Sequence, residues 1–197
     1  MMSFVFLLFI VGAYLLGSVS SAVLVCKVAG LPDPRETGSH NPGATNVLRI
    51  GGKVAALCVL LGDAAKGFFP VLLARHAGFN DTMQVLVLFS AFIGHLYPLF
   101  FRFVGGKGVA TTIGGLLAFS WVLALAWGIT WLVVALFSRY SSLSALVASL
   151  LLPFYAWFWL HHESVTGLFC LLSLFLLYRH KSNIKKLWLG EEKRIGQ

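Results

Sequence analysis

The chain has 197 residues, of which 58% are hydrophobic and 11% charged, with a mean hydropathy of +0.86. Soluble domains carry about 25% charged residues, so this composition excludes a soluble globular enzyme and predicts an integral membrane protein. The net charge of +8 and pI near 9.7 would suit a nucleic-acid binder only in a soluble chain; here the cations flank apolar runs, as membrane topology requires, and nucleic acid is not an expected partner.

Only Met1-Met2-Ser3 precedes the first apolar run, without a basic segment, so that run is expected to be a retained helix rather than a cleaved signal peptide. A helix needs about 20 apolar residues to span the hydrocarbon core, which predicts spans near 3–28, 53–76, 82–103, 120–138, 142–160 and 164–179. One further run, 109–119, is short and holds Gly114-Gly115. Charge decides its role. If it crosses, Lys27, Arg35, Arg49, Lys53, Arg102, Lys107, Arg139, Arg179, Lys181, Lys185, Lys186, Lys193 and Arg194 share one side, with only Arg75 opposite and Lys66 inside a helix. The positive-inside rule therefore predicts seven transmembrane helices in an all-α integral membrane protein, N-terminus outside and C-terminus cytoplasmic, forming a single domain over 1–197. The short crossing implies local thinning or a broken helix beside a cavity. Small residues within the spans, such as Gly12, Gly17, Ser18, Gly62 and Gly67, suit a tight helical bundle. Cys26, Cys58 and Cys170 have neither disulfide nor metal-ligand spacing and are expected to be small core residues.

Thirteen of the fifteen Lys and Arg residues thus fall in the polar gaps, and the same gaps hold the Gly, Asn and Ser clusters. The first gap contains Gly38-Ser39-His40-Asn41-Pro42-Gly43-Ala44-Thr45-Asn46 with Arg49 beyond it. Its two glycines permit backbone turns that point successive N–H groups at one anion, and Arg49 adds a guanidinium for phosphate. A polar turn with one topogenic arginine is the simpler alternative, but the length of the polar cluster favours the anion nest. The second gap, Gly105-Gly106-Lys107-Gly108, offers bare N–H groups and one ammonium at a helix start. It is not a Walker A loop, because Phe101 and Gly108 stand where a glycine and a hydroxyl residue are needed. Further on come Arg139-Tyr140-Ser141-Ser142 and Arg179-His180-Lys181-Ser182-Asn183; on a helical continuation His180 and Asn183 face the same way. Lys185 and Lys186 suit anionic membrane lipid. Asp63 and Lys66, also three apart, are expected to pair, with Lys66 within reach of a substrate. His161-His162-Glu163 lacks metal spacing and reads as interfacial beside Trp157 and Trp159.

Together these residues resemble the PlsY family, the bacterial acyl-phosphate:glycerol-3-phosphate acyltransferases. The resemblance covers the whole chain: Gly17-Ser18 with Ser20-Ser21, Gly-Ser-x-Asn-Pro-Gly-Ala-Thr-Asn with Arg49, Asp63-x-x-Lys66-Gly67, Gly94-His95 leading to Gly-Gly-Lys-Gly, Ser141-Ser142, and His180-x-x-Asn183-Ile184 with Gly190-x-Glu192. His40 stands where the family often has glycine, and Ser20 where it often has proline. The resemblance implies acylation of the 1-hydroxyl of glycerol 3-phosphate by a fatty acyl phosphate at the bacterial inner membrane, with the active site facing the cytoplasm, no cofactor, no metal, and transient contact with the enzyme that makes acyl phosphate.

The implied substrate-binding residues are Ser39, Asn41, Gly43, Thr45, Asn46, Arg49, Lys66, Gly105, Gly106 and Gly108; the implied catalytic ones are Lys107, Ser142, His180 and Asn183. Ser39, Asn46 and Arg49 would hold the phosphate of glycerol 3-phosphate, and residues 105–108 with Ser142 the acyl phosphate. His180 and Asn183 would orient the attacking hydroxyl, whose proton passes either to His180 or to a substrate phosphate oxygen, and Glu192 would pin the tail to the basic cluster. Two other classes stand against this assignment. A transporter of phosphorylated solutes would line its path with cations across the membrane, whereas these lie at one face. A different lipid enzyme would need the His-x-x-x-x-Asp pattern of acyl-CoA-using acyltransferases or the Asp-rich motif of CDP-alcohol transferases, and both are expected to be absent.

Overall fold

A computed structural model describes residues 2–196, which contain helices and turns and no strand. The chain forms two compact units, one running up to Phe119 and one starting at Ser120.

In the first unit, the run expected as one span over 3–28 is two helices, α1 (Met2–Gly17) and α2 (Ser21–Val28), bent by 41°. Tight turns cause the bend: Ser18 N–H donates to the Tyr14 carbonyl at 2.8 Å and Val19 N–H to Leu16 at 3.1 Å. Ser20 then caps α2, its Oγ accepting from Val23 N at 3.4 Å. Gly17 lies so close to the next strut of the bundle that a methyl there would fall 2.1 Å from the Ala91 carbonyl oxygen, the close backbone approach that small residues allow in lipid.

Helix α3 (Ala44–His76) begins well before the expected 53 and is kinked at Gly52, whose φ of 77° and ψ of −174° are non-helical. Thr45, Asn46 and Arg49 therefore lie on a short helical run ahead of the kink, not in a loop. After a turn at Gly78, α4 (Asp81–Leu96) starts with Asn80 accepting from Met83 N at 3.0 Å. A 3-10 turn at Leu99–Phe101 leads to the glycine-rich segment and then to α5 (Val109–Phe119), whose bounds match the expectation. The Gly114-Gly115 pair does not break α5. It lets the helix lie against α3, where a methyl on Gly114 would meet the Ala64 carbonyl oxygen at 2.0 Å.

The second unit holds α6 (Trp121–Ser138), α7 (Ser141–Leu160), α8 (Glu163–Arg179) and α9 (Lys181–Trp188). Hydrogen bonds join its helices inside the apolar layer: Thr130 Oγ1 with Tyr155 Oη at 2.7 Å, and Ser173 Oγ to the Ser149 carbonyl at 2.6 Å. Among the described residues, four helical segments are long and apolar enough to cross a membrane, or five if the bent α1–α2 pair is one span. At 1.5 Å per residue, α5 is about 16 Å long, roughly half of the hydrocarbon core. Of the cysteines expected in the core only Cys26 is buried; Cys58 and Cys170 are exposed on the outer faces of α3 and α8.

Candidate active site

The first polar segment is organised from within by one side chain. Asn46 is 1% exposed. Its Oδ1 accepts from Ser39 N at 2.8 Å, and its Nδ2 donates to the carbonyls of Pro34 at 2.9 Å and Thr37 at 3.0 Å. Both amide protons are thus committed to the loop, so Asn46, expected to hold a phosphate, builds the segment that would do so. Gly38, at φ +64°, supplies the turn that brings Ser39 N to Asn46. Gly43, expected to turn likewise, is instead extended at φ −148° and caps the start of α3, its carbonyl accepting from Asn46 N and Val47 N. His40 is left-handed at φ 57°, a conformation that costs a non-glycine residue about 1 kcal/mol or more; a backbone of this shape favours the glycine usual there in the resembled family. Ser39, Thr45 and Arg49 are exposed and Asn41 half-buried, and Arg49 has no ion-pair partner among the described residues. Arg35 forks onto Asp33 at 2.6–3.2 Å. That hydrogen bond holds the Asp33 carboxyl below the usual carboxylate range.

The second segment is organised from outside. Gly105, Gly106 and Gly108 are buried and Lys107 half-buried. A methyl on Gly105 would fall 2.2 Å from the His95 carbonyl oxygen, one on Gly106 2.2 Å from His95 Nε2, and one on Gly108 2.1 Å from the Phe92 ring. Lys107 is therefore the single side chain the segment can carry. Gly108, at φ +86°, turns the chain into α5, and Thr112 N donates to its carbonyl at 2.8 Å. The two segments approach each other where the Arg35 guanidinium lies 5.8 Å from the Phe101 ring centroid.

Beneath them is a buried charge cluster. Asp63 and Lys66 pair at 2.8 Å, each with a side chain 4% exposed. Lys66 Nζ also donates to the Val19 carbonyl at 3.0 Å. Lys66, expected among the substrate-binding groups, is thus committed to α3 and to the α1–α2 break. His95, from α4, places Nδ1 3.7 Å from Asp63 Oδ1. The spacing of Asp63 and Lys66 made their pairing legible; the third member comes from another helix and has no local signal.

In the second unit, Glu192 gathers two of the expected catalytic residues. Its Oε1 accepts from Ser142 Oγ at 2.6 Å and from Asn183 Nδ2 at 2.7 Å. The tail is thereby pinned to Ser142 and Asn183, each within a cation-bearing stretch, and Ile195 extends the attachment, its N–H donating to the Arg139 carbonyl at 2.6 Å and its carbonyl accepting from Arg139 Nη2 at 3.2 Å. Asn183 Oδ1 is buried and accepts from no group among the described residues. His180, 2% exposed, lies between α8 and α9 with Nδ1 2.9 Å from the Leu176 carbonyl oxygen. A carbonyl only accepts, so Nδ1 bears the proton and Nε2 is the basic nitrogen of the neutral ring.

The His-x-x-x-x-Asp separation of acyl-CoA-using acyltransferases, expected to be absent, does occur at His76 and Asp81. Both are exposed, and they lie about the α3–α4 turn, at the end of α3 remote from Asn46 and Arg49. No cluster of metal-ligating side chains occurs among the described residues.

These features define a helical, multi-pass membrane protein with two backbone-rich, cation-bearing segments suited to phosphate. The comparisons narrow the class. A family model described as glycerol-3-phosphate acyltransferase matches residues 7–190. The glycerol-3-phosphate acyltransferase of Methylococcus capsulatus is 54% identical over 184 residues, 93% of each chain. That of Haemophilus influenzae strain PittEE is 50% identical over 194 residues, 98% of this chain and 96% of the relative. A crystal structure of PlsY (YgiH), an integral membrane glycerol 3-phosphate acyltransferase in its glycerol 3-phosphate form, superposes with a TM-score of 0.92 at 36% identity, covering 97% of this chain and 96% of that one. The lysophosphatidic acid form of PlsY gives 0.88 at 34%, over 97% and 95% of the two chains. The chain belongs to the glycerol-3-phosphate acyltransferase family, as an integral membrane enzyme of the PlsY type.

Proposed function

We propose that this enzyme transfers a fatty acyl group from acyl phosphate to the 1-hydroxyl of glycerol 3-phosphate, giving lysophosphatidic acid and inorganic phosphate. The observation that carries the reading is the segment 105–108, whose buried glycines leave room for one side chain, the ammonium of Lys107. An acyl phosphate is a mixed anhydride and already activated, so alignment and charge neutralisation suffice without a protein nucleophile. The hydroxyl oxygen attacks the acyl carbon, the bond from that carbon to the phosphate oxygen breaks, and the proton leaves with a phosphate oxygen. Lys107 and the N–H groups of Gly105, Gly106 and Gly108 neutralise charge on the carbonyl and the departing phosphate, assisted by Ser142.

Ser39, Asn41, Thr45 and Arg49, on the segment that Asn46 and Gly43 shape, take the phosphate of glycerol 3-phosphate. His180 and Asn183 orient the hydroxyl, with Asn183 Oδ1, which accepts from no group among the described residues, as its hydrogen-bond acceptor. Lys66 acts at a remove, through the α1–α2 break that it fastens. PlsY's solved glycerol 3-phosphate and lysophosphatidic acid forms support the same acceptor and product here. The charge asymmetry supports seven crossings, an external N-terminus, and a site facing the cytoplasm of the bacterial inner membrane. There the acyl-phosphate-making enzyme would hand over its product through transient contact. Both units serve this single activity.

The test is product analysis with purified protein offered acyl phosphate, acyl-CoA and acyl carrier protein thioesters in parallel with glycerol 3-phosphate. Lysophosphatidic acid should form only from acyl phosphate, with one phosphate released per turnover; equal rates from a thioester would refute the donor.

A further inference from the structure

An ion pair inside an apolar bundle needs two members, and Asp63 and Lys66 already satisfy each other at 2.8 Å. A third ionisable side chain at such depth is costly and points to function. His95 has a definite geometry. Its Nδ1 faces the Asp63 carboxylate at 3.7 Å, while Nε2 is directed at the glycine segment, where a methyl on Gly106 would fall 2.2 Å away. The backbone of the same residue also holds that glycine, Gly106 N–H donating to the His95 carbonyl at 3.1 Å. Gly105 rests on the carbonyls of His95 and Leu96, and Gly108 on the Phe92 ring. The C-terminal turns of α4 thus form the seat of the segment, and the His95 ring is the part of that seat that faces Asp63.

We propose that His95 is a positioning residue: with Nδ1 toward Asp63 and Nε2 toward the glycine segment, its imidazole fixes Gly106 and thereby places the ammonium of Lys107. The inference rests on the reading of 105–108 as the segment that neutralises charge on the donor. Lys107 sits between glycines that have no side chains of their own, and Gly106 lies against both the ring and the carbonyl of His95. Rotating or removing the ring would displace Gly106 without touching the substrate. A displacement of about 1 Å at a catalytic group costs about 10²-fold in rate.

A double-mutant cycle on the full-length protein tests this, with folding followed by gel filtration and thermal melting. His95→Ala should lower turnover about 10²-fold and Lys107→Ala by about 10²–10³-fold. Because His95 acts through Lys107, the double variant should be no slower than Lys107→Ala alone, whereas independent contributions would multiply. Should His95→Ala not fold, His95→Gln carries the same cycle, with a smaller loss and the same coupling. Multiplicative losses, or full turnover in His95→Ala, overturn the inference while leaving the role of Lys107 intact. Full turnover in Lys107→Ala overturns the donor-segment reading and this inference together. Failure of both His95 variants to fold assigns the residue to the fold alone and overturns it too.

Discussion

Asn46→Ala separates a side chain that touches phosphate from one that builds the place where phosphate binds. In the structure the Asn46 amide makes three hydrogen bonds, from Ser39 N and to the carbonyls of Pro34 and Thr37, in a position 1% exposed. At about 1 kcal/mol each, their loss costs about 3 kcal/mol, or roughly two orders of magnitude in the equilibrium between the ordered and open loop. The perturbation is local, so thermal stability of the bundle should change little. Trypsin cleavage after Arg35, which Asp33 now holds, should accelerate by up to about 10²-fold, and KM for glycerol 3-phosphate should rise with it. Asn46→Asp should be worse than Ala, since it keeps the acceptor for Ser39 N but aims a carboxylate at two carbonyl oxygens. A raised KM with unchanged proteolysis would refute the argument and return Asn46 to direct contact with the phosphate. No change in either measurement would show that the loop needs none of the three bonds.

Lys107→Ala should lower turnover by about 10²–10³-fold with folding intact, and Lys107→Arg should also be poor because a planar fork does not fit where a compact ammonium lies between buried glycines; near-normal rates in either variant place donor neutralisation elsewhere. In a background lacking Cys26, Cys58 and Cys170, cysteines introduced at Thr37 and Lys193 should resist an impermeant label in intact cells while one at Asn80 reacts, and the reverse pattern overturns the orientation. Chelation of divalent metals should leave the rate nearly intact; a strict magnesium requirement contradicts catalysis by alignment and cationic side chains alone. Asn183→Ala should be about as damaging as His180→Ala and the pH–rate profile of His180→Ala should keep its shape, because both residues orient the hydroxyl; loss of one ionisation in His180→Ala, with Asn183→Ala nearly active, would make His180 the base.

The features legible in the sequence are those whose causes are local. The bounds of α5 follow from Gly108, which turns the chain, and from Ser120, which begins the next cap. The pairing of Asp63 with Lys66 follows from their three-residue spacing along a helix. Features caused by partners distant in sequence were not legible. Gly17 and Ser18 suggested tight packing, yet the partner that Gly17 admits, the backbone of Ala91, lies on another helix and leaves no local signal. The span expected to start near 53 is preceded by residues 44–51 that are already helical, with the kink at Gly52. Residue type singled out Asn46 and Glu192, while the partners each holds, seven to twelve residues away for Asn46 and fifty for Ser142 with Glu192, have no local signal.

On the function proposed above, the two polar segments of the first unit meet the same demand by opposite means, and the difference follows from what each would present. A segment that binds a small, fully ionic acceptor needs exposed groups of several kinds, so Ser39, Thr45 and Arg49 stay outside and a single inward amide organises the backbone behind them. A segment that neutralises charge on an acyl phosphate needs backbone N–H groups and one cation at close range, which leaves no space for an internal latch; every residue but Lys107 is glycine, and the fixture moves to the surface below. That surface must itself be rigid, and in an apolar bundle rigidity by packing alone would suffice for a leucine. An imidazole with Nδ1 3.7 Å from a buried carboxylate has an electrostatic preference of direction, which packing does not confer on a smooth aliphatic chain, and on the role proposed for His95 this gives a reason for keeping three ionisable side chains in an interior where each is costly.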